Sequence, residues 1–265
     1  MITGAGRGIG KRLAMGFAAE GACIGLLARS QADIELARLE IEQAGGTAIC
    51  LRADVRNPDE LAYAVDRMRA KFGGLDILIA AAGVQGPIGP FLTGKPKAWN
   101  DTVEINLIGA ANSCRVALPP MIEKRSGKII LIAGGGSAYS RPNFTAYASS
   151  KCALVRFGET LADEVRDSNV QVNTIAPGAA YSAMTDEILR AGEARAGRKE
   201  IEAAEHVRVT GGIAAEKQIA LALFLAGERS NHISGKLIHV KDDWKRFEQD
   251  NMKAELYTLR RVQKM

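Results

Sequence analysis

The chain has 265 residues, 47% of them apolar and 25% charged, a composition that supplies a sizeable core and excludes disordered and fibrous classes. Lysine plus arginine exceeds aspartate plus glutamate by 35 − 30 = 5, with the two signs interspersed, so the surface reads as solvated and no nucleic-acid partner is expected. Apolar runs such as Lys128–Ala133 fall far short of the ~20 residues of a membrane span, and MITGAGRGIG has no apolar leader, so neither a membrane partner nor secretion is expected. The four cysteines, Cys23, Cys50, Cys114 and Cys152, are scattered without a Cys-x-x-Cys pair, which points to reduced thiols, no metal site and a cytoplasmic protein.

In chain order, the glycine-rich run Thr3-Gly4-Ala5-Gly6-Arg7-Gly8-Ile9-Gly10 leads into a helical stretch, Lys11–Glu20. Short β-rich runs follow at Ala22–Ala28, Thr47–Arg52, Asp76–Ala81, Lys128–Ala133, Val170–Ile175 and Lys236–Val240. Between them lie helical segments with readable ends. Ser30 can cap a helix through Gln43, and Asn57-Pro58-x-Glu60 offers a cap, a proline at the first helical position and an acid behind it. Residues 98–118, 145–167 and 215–226 also read as helices. This alternation predicts an α/β, Rossmann-like, doubly wound parallel sheet with helices on both faces. Residues 1–240 form one domain, with a mobile excursion at about 179–212 serving as a lid, and 241–265 are a C-terminal extension.

Glycines at a strand-to-helix turn let the backbone approach a pyrophosphate, with the helix N-terminus adding unpaired N–H groups. Tyr147-Ala148-Ser149-Ser150-Lys151 places a phenol and an ammonium at i and i+4, on one helical face. Together with Asp54-Val55, Ala80-Ala81-Ala82-Gly83, Asn106-Leu107-Ile108-Gly109 and Pro177-Gly178, in this order, they make the sequence resemble the short-chain dehydrogenase/reductase family from Thr3 to about Val240, with a 3-oxoacyl-reductase-like pattern.

The resemblance implies that Tyr147 is the general acid or base, with Lys151 stabilising its phenolate and binding the nicotinamide ribose, and that Asn106 holds a helix kink and a proton-relaying water. It also assigns cofactor contacts to Thr3, Gly4, Gly6, Arg7, Gly8, Ile9, Gly10, Ser30, Ala81, Ala82, Gly83, Pro177, Gly178 and Ser182, with Asp54 and Val55 at the adenine. The acid that ends the second strand in NAD-dependent members is replaced by Ala28, followed by Arg29. Arg7 and Arg29 could clamp a 2′-phosphate, so NADP(H) is expected, although both also fit plain surface arginines.

Three departures from the family pattern stand out. The usual catalytic serine, thirteen residues before the tyrosine, is Gly134 here, which leaves three options: Ser137 swings in, with Ser140 a weaker candidate; a backbone N–H or another group substitutes; or activity is weak. Ala80 and Ala81 stand where asparagines are common. The first strand is largely missing, since only Met1-Ile2 precede the glycine turn, and the expectation is that the natural start lies upstream or that the chain was shortened.

The expected function is NADP(H)-dependent interconversion of a small-molecule carbonyl and a secondary alcohol by a homodimer or homotetramer, packing through the helices around 98–118 and 145–167. The alternative is a weakly active or non-catalytic NADP(H)-binding sensor or assembly protein. Tyr181, Met184 and Ile188 would line the lid, with Arg190, Arg195 and Arg198 as a basic rim or a solvated helix face. The tail, with Trp244, Phe247, Leu256, Tyr257 and Leu259, would cover either a neighbouring subunit or its own chain.

Overall fold

Seven parallel strands, each a short run of mostly β-branched and aliphatic residues, form one sheet: β1 (Ile2–Thr3), β2 (Cys23–Ala28), β3 (Thr47–Arg52), β4 (Ile77–Ala80), β5 (Gly127–Ile132), β6 (Val170–Ala176) and β7 (Leu237–His239). The computed structural model describes residues 1–248, 253 and 255–260. Strand order is β3-β2-β1-β4-β5-β6-β7, so the order reverses between β1 and β4 and a crevice opens at the carboxyl ends of the strands there.

The two-residue β1 occupies the middle of the sheet, where Ile2 pairs with Leu26 and Ile79, and Thr3 with Leu27 and Ala80. Met1 extends the pairing to β4, its amino nitrogen donating to the Ile77 carbonyl at 2.8 Å and its carbonyl accepting from Ile79 N at 3.0 Å.

Helices α1 (Gly8–Ala19) and α2 (Gln31–Gln43) cover one face with α10 (Ala215–Ala226), burying Leu13, Phe17, Ile34, Leu221 and Phe224. The other face packs α3 (Pro58–Phe72), α5 (Gly109–Glu123) and α6 (Thr145–Glu164) through Leu61, Met68, Cys114, Met121 and Leu154. Ser30 Oγ accepts from Asp33 N at 3.3 Å, and Asn57 Oδ1 accepts from Asp59 N at 3.0 Å, the two caps that the sequence indicates.

The helix expected at 98–118 starts earlier and is interrupted. It runs as α4 (Pro96–Val103), a π-helical turn at Glu104–Ile108 that contains Asn106, and α5.

The excursion folds as three helices, α7 (Ala183–Ala191), α8 (Glu193–Ala196) and α9 (Arg198–Thr210). Ile188, Ala196 and Ala204 join Ile88, Phe144 and Tyr147 in a separate apolar cluster, which seats these helices beside the tyrosine.

The described part of the tail docks on its own chain. Leu237 N donates to the Tyr257 carbonyl at 2.7 Å, the Phe247 and Tyr257 rings meet edge to face at 4.8 Å, and Leu259 N donates to Glu159 Oε1 at 2.6 Å. That packing fits the own-chain alternative, and the rest of 249–265 lies outside the described residues.

Candidate active site

A cleft of about 1360 Å³ runs over the carboxyl ends of the strands, from Arg29 and Asp54 at one end to Tyr147 and the α7–α9 helices at the other. The glycine turn forms its floor. A β-carbon on Gly10 would lie 2.3 Å from the Gly4 carbonyl oxygen, so only glycine lets α1 start this close to β1. At Gly8, with φ at +58°, a β-carbon would meet nothing within 4 Å, because that position faces the open cleft. Arg7 precedes α1 without a side-chain cap, and no acid stands in the first turn, so the opening N–H groups are free to meet an anion.

Gly4, Gly6, Arg7, Gly8, Ile9, Gly10, Arg29, Ser30, Asp54, Val55, Ala81, Ala82, Gly83, Pro177, Gly178, Ser182, Ser137, Tyr147 and Lys151 all line this one cleft. Two expected residues do not. Thr3 is buried below the wall, its hydroxyl oxygen accepting from Ala82 N at 3.1 Å, and Asn106 is fully buried behind it. Three lining residues are partly committed within the protein. The Ser30 hydroxyl caps α2, Val55 packs beneath Gly109, and the Asp54 carboxylate is gripped by Arg56 at 2.7 Å, which holds its pKa down.

Asn106 organises the far end. Its Oδ1 accepts from Val84 N at 2.8 Å, while Nδ2 donates to the Val84 carbonyl at 3.0 Å and to Ser150 Oγ at 3.1 Å. Ser150 in turn donates to the Tyr147 carbonyl at 2.8 Å. These long-range partners stabilise the π-helical turn that holds the asparagine.

Lys151, one helical turn beyond Tyr147 on α6, is 3% exposed and donates to the Ile132 carbonyl at 2.8 Å; burial lowers its pKa to about 8. Burial also raises the pKa of Tyr147, and the nearby Arg141 opposes that rise. The Arg141 guanidinium carbon lies 5.5 Å from the Tyr147 ring centroid and the Lys151 Nζ 5.9 Å.

The space left by the missing serine is used. A β-carbon on Gly134 would fall 2.2 Å from the Tyr147 hydroxyl oxygen, so the phenol occupies that ground. Ser137 is buried in the same wall, with its N–H donating to the Gly134 carbonyl at 3.1 Å, and Ser140 also lines the cleft.

The basic rim does not form as a set. Arg190 donates to the Asp186 carbonyl, Arg195 to the Ile88 carbonyl, and Arg198 pairs with Glu202; of the three, only Arg198 lines the cleft. The charge nearest the tyrosine is instead Arg141, joined to Glu200 of α9 by two hydrogen bonds of 2.9 and 2.7 Å. Nothing local in Ser140-Arg141-Pro142 announces that role. Asp33, against Gly6, and Gln85 also line the cleft without a sequence signal.

A family model described as short chain dehydrogenase matches residues 1–192. A short chain dehydrogenase of Pseudocercospora fijiensis is 34% identical over 185 residues, which are 69% of this chain and 59% of that protein's length. Among solved structures, a 3-ketoacyl-ACP reductase from Sinorhizobium meliloti is 32% identical with a TM-score of 0.76, covering 90% of this chain and 96% of its own. An NAD+-bound xylitol dehydrogenase is 26% identical with a TM-score of 0.81, covering 90% and 95%. The chain belongs to the short-chain dehydrogenase/reductase family, oxidoreductases that act on alcohol and carbonyl groups of small molecules with a nicotinamide cofactor. Its own residues fit such a cofactor, because the cradle opening at Gly8 and the uncapped start of α1 leave donors for a diphosphate.

Proposed function

We propose that this protein interconverts a carbonyl compound and a secondary alcohol using NADP(H), with Tyr147 as the general acid toward alcohol and the general base in reverse. The observation that carries the reading is that the phenol of Tyr147 and the ammonium of Lys151 stand in one cleft with the glycine cradle, on a helix whose Tyr147 carbonyl is tied through Ser150 to the buried Asn106. The dinucleotide, when bound, supplies or accepts the hydride. The first turn of α1 and Gly8 would hold its diphosphate, Arg7 and Arg29 its 2′-phosphate, Asp54 and Val55 its adenine, and Gly83, Lys151, Pro177, Gly178 and Ser182 its nicotinamide end. Thr3, buried below the wall, supports this site through Ala82.

The hydroxyl of Tyr147 delivers its proton to the carbonyl oxygen, and Lys151 and Arg141 stabilise the phenolate that results. Asn106 holds Val84 and Ser150 fixed, which keeps the cleft wall and α6 in register. Ser137 stands as the hydroxyl that supports the substrate oxygen in place of the absent serine.

A second reading is favoured by Gly134, which offers no hydroxyl to the reacting oxygen: a cofactor-binding protein with weak turnover, acting as a sensor or assembly subunit. We read the assembly as a homodimer or homotetramer, supported by the exposed Ile108 and Ile122 on the α4–α5 side. We read the location as cytoplasmic from the scattered positions of the four cysteines in the sequence.

The test is reduction of a carbonyl panel, 3-oxoacyl thioesters and hydroxy ketones included, with NADPH and with NADH, by the wild-type chain and Tyr147→Phe. Turnover that falls by about 10²–10⁴ in the variant, with cofactor binding retained, is the expected result. NADPH binding without turnover by a folded wild-type chain would overturn the enzyme reading in favour of the second.

A further inference from the structure

Gln85 is 3% exposed, and its side-chain Nε2 is buried without a hydrogen-bond partner among the described residues. Buried donors nearly always have acceptors, and an orphaned one is costly to keep. The residue stands in the wall of the cleft that holds Tyr147 and Lys151.

Its loop, between β4 and α4, is fastened on both sides. Before it, Asn106 grips the N–H and the carbonyl of Val84. After it, Gly86 packs so closely on α4 that a β-carbon there would lie 2.2 Å from Thr102 Oγ1. Further on, Arg195 Nε donates to the Ile88 carbonyl at 3.0 Å, and Gly89 N to the Asn143 carbonyl at 2.9 Å. With the backbone of the loop held this firmly, what freedom the amide has is rotation of its own side chain, which can turn it from the wall toward an acceptor in the cleft.

The same loop sits beside the reacting groups. A β-carbon on Gly83 would be 3.4 Å from Lys151 Nζ, and Ile88 shares an apolar cluster with Tyr147. In the chain, Gln85 falls between Gly83 and Ile88.

We propose that Gln85 is a specificity-determining residue whose amide hydrogen-bonds a second oxygen of the substrate. The substrate class is then a carbonyl compound, or its alcohol, with a hydroxyl or carbonyl oxygen next to the reacting carbon, such as an α-hydroxy ketone or a vicinal diol. A hydroxyl is a suitable partner because it can both accept from and donate to an amide. A plain ketone leaves the amide unpaired, and that difference provides the discrimination. The inference rests on the oxidoreductase reading and deepens it.

The experiment compares wild type with Gln85→Met, which keeps length and bulk but removes the amide. It uses a matched pair of ketones from among those the protein reduces, 2-hydroxycyclohexanone and cyclohexanone first. The ratio of kcat/KM for the hydroxy ketone over the plain ketone is expected to fall about tenfold or more in the variant. The melting temperature of the cofactor-free variant is expected to be no lower than that of wild type, because the orphaned amide is gone.

An unchanged ratio overturns the assignment while leaving the oxidoreductase reading intact. A lower melting temperature also overturns it, since the amide would then have a partner inside the protein. Failure of the wild type to reduce any carbonyl compound overturns the oxidoreductase reading and this assignment with it.

Discussion

The hydroxyl oxygen of Tyr147 stands where a side chain at Gly134 would begin, 2.2 Å from the place of its β-carbon. The two residues share one volume, so the glycine sets how deep the phenol sits. Depth has an electrostatic consequence, because burial raises the Tyr147 pKa and disfavours the phenolate that the proposed proton transfer would leave.

Gly134→Ser should therefore act twice. Its β-carbon pushes the phenol outward toward the cleft, and its hydroxyl offers the reacting oxygen a donor. Loss of one such donor typically lowers kcat by about 10²–10³; with Ser137 supporting that oxygen in part, a gain of only about tenfold in kcat is the expected outcome. Gly134→Ala supplies the push alone and should gain little or lose activity. Steady-state kinetics of the three proteins checks this, and a serine no better than alanine would mean that Ser137 serves that oxygen fully and that Gly134 costs no donor.

The site was legible in the sequence where its signal is local. The glycine turn, the i,i+4 spacing of Tyr147 and Lys151, and the caps at Ser30 and Asn57 each depend on residues within a few positions. The π-helical turn was not legible, because it is held by Asn106 reaching Val84 and Ser150, which lie 22 and 44 residues away. The helices of the excursion were hidden for a different reason. In α9 the buried positions are only Ala204 and Val207, so that helix carries no broad apolar stripe, and the stripe of α7, Met184, Ile188 and Ala191, spans a helix of only nine residues. Arg141 and Gln85 acquire their surroundings only when three separate loops converge over the sheet.

Lys151 should show function opposing stability. Its folded pKa of about 8 lies below the ordinary 10.5, so the unfolded chain holds this proton more tightly. The penalty is fully present below about pH 8 and fades as pH rises through 10.5, and at its fullest it is about 3 kcal/mol as an upper bound. Lys151→Met forfeits the bond to the Ile132 carbonyl but escapes that penalty. Calorimetry of the cofactor-free proteins should find the variant melting a few degrees higher at pH 7, with the gap narrowing toward pH 10, while its turnover is lost.

Arg141 has two separable effects. It lowers the Tyr147 pKa, and it ties the loop after β5 to α9 through the double hydrogen bond to Glu200. Arg141→Gln removes both. The alkaline-rising limb of alcohol oxidation should move to higher pH, since the phenol loses a stabilising cation and needs a lower proton concentration to ionise. Glu200→Gln keeps the guanidinium but weakens the tie, so it should raise KM without moving that limb in the same direction. Coincident pH profiles for wild type and Arg141→Gln would remove Arg141 from the acid–base chemistry.

On the proposed reading, cofactor choice depends on charge at the exposed end of the cleft. Arg29 follows β2 at the position after Ala28, and Arg7 projects from the turn, while the acid nearest them on α2, Asp33, sits against Gly6. A guanidinium binds a phosphate dianion through paired, charge-assisted hydrogen bonds, whereas a ribose hydroxyl gains little from it. Arg29→Asp should weaken NADPH about tenfold or more and leave NADH equal or tighter, through the new carboxylate. Fluorescence titration at two salt concentrations measures both, and the NADPH affinity of wild type should be the more salt-sensitive of its two. Equal affinities for NADPH and NADH in the wild type, unmoved by the substitution, would place Arg29 outside the cofactor site and leave Asp33 to bind the ribose of NAD.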